Sequence, residues 1–203
     1  MDIPALYELS FEEKRHAYTL NGIEIPSVTT VMKPLSESYY GSIDKGTLDN
    51  AASRGTIVHQ AIENYLLFDI TDIPPEHAGY LDAFVSWWGK ASPQLVGTES
   101  RVYHKALRYA GTVDLSCVIE GVFTCIDIKT SSQVAEMLTR VQLEAYSRAF
   151  ASHGVNYEQK TVLHLKKDGS HKTIDYKTDV EAFEVFGSLL TVHNYIQKHS
   201  RAK

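Results

Sequence analysis

The dipeptide Glu120-Gly121, set between two runs of apolar and β-branched residues, constrains this chain more than any other feature of its sequence. A two-residue loop at that point makes a tight β-hairpin, because glycine tolerates the positive φ that such a turn demands. Fixing the turn also fixes the pairing of the strands it joins, since a slip of one residue would send every side chain to the other face. Cys117 then faces Thr124, Asp114 faces Asp127, and Thr112 faces Lys129. Side chains alternate along a strand, so Asp127 and Lys129 project together and Asp114 joins them across the hairpin. All three are expected on one face. The same register sends Cys117 and Cys125 to opposite faces, which argues against a disulfide between them.

Two carboxylates facing each other with Cβ atoms roughly 4.5–5.5 Å apart repel, and would destabilise an ordinary sheet. A cation between them removes the conflict. Hard oxygen ligands suit Mg²⁺ or Mn²⁺, which bind one or two carboxylates and accept phosphate oxygens besides. Lys129 beside such an ion is placed to orient or deprotonate an attacking water and to stabilise charge building on a phosphate. The plainer reading of an Asp and a Lys on a strand is a surface ion pair. The neighbours Val113, Leu115, Ile126 and Ile128 make these strands too apolar for that.

The rest of the chain supplies an α/β frame. Asn21-Gly22 between apolar runs predicts an N-terminal β-hairpin over 15–25. Ser27 is placed to cap a short helix from Val28 to Met32 that Pro34 ends. Helical spacing of Ile57, Ala61, Ile62, Tyr65 and Leu66 predicts a helix over 48–67, with His59 and Glu63 on one face. Pro74-Pro75 opens a second, carrying Trp87 and Trp88 and ended by Gly89 and Pro93. Three strands follow over 95–130, then a helix over 132–152, two strands at 161–165 and 173–176, and a last helix from a cap at Asp179 to about Lys198. The expected architecture is a mixed central β-sheet flanked by helices. One domain is expected over 1–203: hairpin and connector 1–46, catalytic core 47–177, C-terminal helix 178–203.

Net charge is −5, which excludes a binder acting through a basic field over its whole surface but suits a centre that concentrates carboxylates around cations. No stretch has the ~20 apolar residues of a membrane span, and the first residues lack a signal peptide's order, so an intracellular, cytoplasmic protein that is not secreted is expected. Two cysteines are too few for a zinc finger or a four-cysteine iron–sulfur cluster.

Gly111-Thr-Val-Asp114, then Ile126-Asp127-Ile128-Lys129, then Gln142-Leu-Glu-Ala-Tyr146 resemble, in order, the G-x-x-D, hydrophobic-D-hydrophobic-K and Q-x-x-x-Y motifs of the RecB-type branch of the PD-(D/E)XK nuclease superfamily. Gly55 to His59 resembles that branch's helical G-x-x-x-H. The four motifs span about His59 to Tyr146. The resemblance implies a restriction-endonuclease-like core and hydrolysis of DNA with Mg²⁺ or Mn²⁺. Asp114 and Asp127 would be metal ligands, Lys129 catalytic, and His59 a further ligand with Glu63 behind its other nitrogen. Glu99 is the candidate extra acid, and Ile128 is counted with the metal positions. Gln142 would hold Lys129 or a phosphate and Tyr146 would support it, against the plainer reading of a solvated glutamine and a core tyrosine. The second acid is aspartate where glutamate is commoner, and no cysteine set flanks the core, which excludes the iron–sulfur subgroup.

For the nucleic acid, Thr130, Ser131 and Ser132 are either phosphate contacts at a helix start or simply its cap. Arg54, Lys105 and Arg108 are candidates for a basic rim, whereas Lys166, Lys167, His171 and Lys172 read as a solvated hairpin tip. Trp87-Trp88 is read as core rather than a platform for bases. An exonuclease acting in recombination, repair or replication is favoured by analogy with the branch. The absence of a G-x-x-x-x-G-K-[ST] loop suggests a phage-like or accessory enzyme that acts alone or joins a helicase, single-strand-binding or recombination partner. The rivals are a non-cleaving scaffold subunit and a structure-specific or RNA-directed endonuclease.

Overall fold

The computed structural model describes Ile3, Leu6 and residues 8–200. Strands β1 (Leu9–Glu12), β2 (Ala17–Leu20) and β3 (Ile23–Ile25) make an antiparallel three-stranded sheet. Asn21 and Gly22 both adopt positive φ between Leu20 and Ile23, the geometry a two-residue hairpin loop requires. The expected hairpin gains one strand, β1, which is short and half acidic or polar and so carries little pattern of its own.

Ser27 caps α1 (Val28–Val31), its hydroxyl accepting the Thr30 N–H at 3.0 Å. Pro34 does not end this segment. It lies in the first turn of α2 (Lys33–Tyr40), where its missing N–H has no helical partner to lose. Helix α3 (Lys45–Phe68) is capped by Asp44. Helix α4 (Ala78–Ala91) runs two residues past Gly89 and stops before Pro93, with Ser92 left-handed. Trp87 is buried beside Phe84, and the half-buried Trp88 stacks on the Phe84 ring, so both pack with the core.

The main sheet has the order β4-β5-β6-β7-β8, with β4 (Gln94–Tyr103), β5 (Ala110–Ile119), β6 (Val122–Lys129), β7 (Gln159–Leu165) and β8 (His171–Tyr176). All neighbours are antiparallel except β6 and β7. The parallel pair is joined through α5 (Glu136–Ala151), the crossover such a connection needs. Helix α5 starts at Glu136 rather than Ser132. Helix α6 (Val180–Ser200) follows Asp179, whose carboxylate accepts the Ala182 N–H at 3.0 Å.

Helices α1, α5 and α6 cover one face of the sheet through Val113, Phe123, Cys125 and Val162, while α3 and α4 cover the other through Leu115, Cys117, Ile126 and Ile128. The two cysteines therefore sit on opposite faces, both free. The small sheet joins the α3 side, packing Tyr18, Leu20 and Ile25 against Tyr103 and Ala110. The result is a five-stranded mixed sheet between helices with a small antiparallel sheet at its N-terminal end. No described helix is long and apolar enough to cross a membrane.

Candidate metal and catalytic centre

The hairpin register holds as the turn at Glu120-Gly121 dictates, from Ile119 opposite Val122 as far as Leu115 opposite Ile126. There it stops. The next backbone donor of β6 is taken by a side chain, the Ile128 N–H donating to Asp114 Oδ2 at 2.6 Å. Thr112 is not opposite Lys129; it pairs with Arg101 of β4, and its hydroxyl meets the Tyr18 hydroxyl at 2.7 Å.

This break corrects the expectation that Asp114, Asp127 and Lys129 share a face. Residues two apart on a regular strand face the same way, yet Val113 packs on the α5 side and Leu115 on the α3 side. A Cβ on Gly111 would meet the Tyr146 ring of α5, whereas Thr112 turns toward Tyr18. Strand β5 thus changes phase between Asp114 and Leu115, and Asp114 turns to the α3 face. Opposite it on β4, between the pairs Thr98–Leu115 and Ser100–Val113, Glu99 adopts φ +43°, a conformation that costs a non-glycine residue energy and re-aims its side chain.

The two irregularities bring Glu99 and Asp114 onto His59 of α3. His59 Nδ1 lies 3.5 Å from Glu99 Oε1 and 3.6 Å from Asp114 Oδ1. Its Nε2 is 3.1 Å from the Ile128 carbonyl oxygen. With Nε2–H donating to that carbonyl, Nδ1 is the ring atom that faces the two carboxylates, and a cation bound between them would take the place of its proton. The group behind the histidine is therefore the Ile128 backbone, not Glu63. The Glu63 carboxylate instead accepts from Gln60 Nε2 at 3.1 Å on the outer surface of α3. The Ile128 side chain is buried core, so this residue reaches the site only through its N–H and carbonyl.

On the α5 face, Lys129 Nζ lies 3.0 Å from Asp127 Oδ1, 2.9 Å from Asp127 Oδ2 and 3.0 Å from Gln142 Oε1. Gln142 Nε2 in turn donates to the Tyr146 hydroxyl at 3.1 Å. Two of the three ammonium N–H bonds are thereby directed, leaving a third for water or phosphate. Asp127 Oδ2 is buried and, among the described residues, faces the Lys129 ammonium alone.

Every resolved shift at the centre runs toward holding a proton. Burial opposes the His59 cation, but the charge of Asp114, the hydrogen bond and charge of Glu99 and the charge of Asp127 outweigh it and raise its pKa to about 9. Burial raises both Asp114 and Asp127. Burial would lower Lys129, but the charges of Asp127 and Asp114 carry it upward instead. The centre is short of positive charge. Nδ1 of His59 and one oxygen each of Glu99 and Asp114 lie within 4.8 Å of one another and could hold a metal ion. Two carboxylate oxygens and one imidazole nitrogen make a donor set that suits a divalent cation.

Other expected residues fall elsewhere. Lys105 and Arg108 occupy the β4–β5 turn beside Tyr103 and His153, with Asp114 four residues beyond the last pair, roughly 13 Å along the strand. Arg54 has its guanidinium over the Tyr80 ring, 5.8 Å from its centre. Thr130 is buried, and Ser131 bonds the Gln133 carbonyl while its own carbonyl meets His164 Nε2 at 2.6 Å. Neither stands at a helix start, because α5 begins at Glu136 without a side-chain cap. Tyr18 and Thr98, whose hydroxyl donates to the Asp114 carbonyl at 3.3 Å, were not evident from the sequence, since each acts through the β5 irregularity.

No protein-family model matches this chain, and no curated protein matches it in sequence. Among solved structures it is similar to the phage related exonuclease from Haemophilus somnus 129PT, at 10% identity and a TM-score of 0.44 over 88% of this chain and 96% of that one. It is also similar to SSO0001, at 15% identity and a TM-score of 0.35 over 67% of this chain and 72% of that one.

Proposed function

We propose that this chain is a divalent-metal-dependent nuclease acting on DNA, with exonucleolytic hydrolysis of phosphodiester bonds as its reaction. The observation that carries the reading is the convergence of His59 Nδ1 with Glu99 and Asp114 beside a lysine oriented by Asp127 and Gln142. A structural ion pair does not need the left-handed Glu99 that brings a second carboxylate onto His59 Nδ1.

The residues of the chain divide the work. His59, Glu99 and Asp114 would hold the cation, with Asp127 as the fourth candidate. When bound, a Mg²⁺ or Mn²⁺ ion supplies Lewis-acid polarisation of a phosphoryl oxygen. The Ile128 N–H fixes Asp114, and the Ile128 carbonyl fixes the ring of His59. Lys129 directs its remaining N–H toward the attacking water or the phosphate, stabilising negative charge as it develops. Gln142, anchored by Tyr146, keeps the ammonium from collapsing wholly onto Asp127.

The test is incubation of the purified protein with end-labelled linear DNA and closed-circular DNA, single- and double-stranded, in Mg²⁺, Mn²⁺ or EDTA. Linear substrate should shorten from its ends in either metal, and EDTA should stop it. Lys129→Ala and Asp114→Ala should each abolish cleavage while keeping a cooperative thermal transition. No cleavage of any substrate, or full activity in either variant, would refute the reading. Cutting of closed circles would replace an exonuclease with an endonuclease at the same site.

A further inference from the structure

A phosphate entering this centre must approach Glu99, Asp114 and Asp127, and the cations already there have partners. Lys129 holds Asp127 and Gln142, and His59 lies against Glu99 and Asp114. Three of the six described arginines are likewise paired with carboxylates, Arg15 with Glu12 and Glu24, Arg140 with Asp179 and Arg148 with Glu144. Arg54 sits five residues before His59 on α3, roughly 140° round the helix from it.

Arg101 is different. It follows Glu99 by two residues on β4, which separates their Cα atoms by roughly 7 Å. Its side chain is exposed and makes no hydrogen bond or ion pair among the described residues; its guanidinium carbon instead lies 4.9 Å from the centre of the Phe11 ring. Phe11 belongs to the small sheet and packs against Tyr18, ring centres 4.6 Å apart. The Tyr18 hydroxyl bonds Thr112, the residue paired with Arg101. Burial raises the pKa of Tyr18 most, its bond to Thr112 and the charge of Arg101 lower it, and the charge of Glu99 raises it, so one phenol senses both charged groups. A guanidinium resting by its face on a ring keeps its in-plane N–H donors free, and their fork matches a phosphate.

We propose that Arg101, propped on Phe11, is a phosphate-binding residue that takes the DNA backbone next to the phosphate held at the His59–Glu99–Asp114 centre. The inference rests on the nuclease reading for its ligand, but not for its geometry. It also gives the N-terminal sheet a role in substrate binding, since Phe11 and Tyr18 both come from it.

The test reads binding apart from cleavage: fluorescence anisotropy of a labelled oligonucleotide, single- or double-stranded, in Ca²⁺ and in EDTA over a salt series. Arg101→Ala should raise Kd about tenfold or more, as loss of a charge-assisted contact does. It should also reduce the slope of log Kd against log salt by about 0.7–0.9, as loss of one phosphate contact does. Arg101→Lys should keep the slope and lose part of the affinity, because a point charge replaces a fork. Phe11→Leu should weaken binding with the slope unchanged. Lys172→Ala removes the same charge from the exposed β7–β8 hairpin and should leave Kd within about twofold.

Wild-type Kd and slope in Arg101→Ala, or a loss no larger than that of Lys172→Ala, would overturn the proposal, as would a wild-type protein that binds no oligonucleotide in Ca²⁺. Arg101-dependent binding without cleavage in Mg²⁺ or Mn²⁺ would leave the phosphate site standing and refute the nuclease reading alone.

Discussion

Gly111 offers the sharpest test of how the site is held together. A Cβ at that position would come 2.4 Å from Tyr146 Cε1, 3.0 Å from Cδ1 and 3.4 Å from Val28 Cγ2. The first distance is far inside van der Waals contact, and Tyr146 is buried at 6% exposure with its hydroxyl bonded to Gln142 at 3.1 Å. Gly111→Ala must therefore push the ring. Overpacking of this kind costs about 1–3 kcal/mol, and loss of the Gln142 bond adds about 0.5–1.5 kcal/mol. Restricting the unfolded chain returns about 0.4–1 kcal/mol, since Gly111 does not need a positive φ. The net destabilisation is about 0.5–4 kcal/mol, or roughly 1–16 °C in Tm for a chain of this size. The assay is urea denaturation of four proteins: wild type, Gly111→Ala, Tyr146→Leu and the double variant. If the clash is the cause, Gly111→Ala costs much less in the Tyr146→Leu background, and the cycle shows a coupling of at least about 1 kcal/mol. Additive effects would refute the reasoning. Activity should follow the ring, because Gln142 loses its anchor and Lys129 its orientation.

Three further outcomes follow from other parts of the molecule. Lys160 and Glu144 form an ion pair with side chains 6% and 2% exposed, so Lys160→Met should lose about 3–5 kcal/mol in denaturant titrations by leaving a buried carboxylate with only the Asp179 N–H and Arg148 at 3.9 Å, and adding Glu144→Gln should recover part of it. Burial lowers the pKa of both His104 and His153, to which each adds its own local interactions. The unfolded chain, titrating near 6.5, then binds protons that the folded one refuses, so the stability these groups contribute is present above about pH 6.5 and is lost as pH falls through their folded values. Tm should drop between about pH 7.5 and about pH 5, and His104→Gln/His153→Gln should flatten that drop; an unchanged pH dependence would discount both residues. Burial pushes the Cys117 thiol up to about 12 and Cys125 well above its ordinary value, so neither should react with a thiol reagent near about pH 8 until denaturant is added. Labelling of the native protein would show that one face of the sheet opens.

Local rules made the frame legible. A turn at Glu120-Gly121 set the pairing through five residues of each strand, and the four-residue spacing of Gln142 and Tyr146 placed both on one face of α5. The site was less legible because it depends on where regularity fails. Val113 and Leu115 are both apolar, so nothing in their pattern shows that they face opposite ways. Glu99 is a poor residue for a left-handed conformation, which only the surrounding pairs of β4 and β5 impose on it. Glu63 was well spaced to support His59, but a backbone carbonyl from a strand 69 residues away lay closer. Basic residues misled for a related reason. Lys105 and Arg108 lie near Asp114 in sequence, yet strand length carries them away, whereas Arg101 gains its position from a ring in a different sheet.

The phase change on β5 explains why so few residues suffice. Had the alternation continued, Asp114 and Asp127 would have faced α5 together and repelled each other, with His59 out of reach behind the sheet. Turning Asp114 to the α3 face separates the tasks. The His59–Glu99–Asp114 group, which could hold a cation, lies on one side, Lys129 and Gln142 lie on the other, and Ile128 between them bonds Asp114 through its N–H and His59 through its carbonyl. That peptide is available only because the β5–β6 ladder stops after Leu115 and Ile126, leaving its N–H without a strand partner. On the proposed nuclease reading, a cation held by the first group and the Lys129 ammonium would meet the phosphate at the end where the two strands part. Restoring the ladder would return the Ile128 N–H to a strand partner and Asp114 to the α5 face, so the proposed chemistry requires the irregularity.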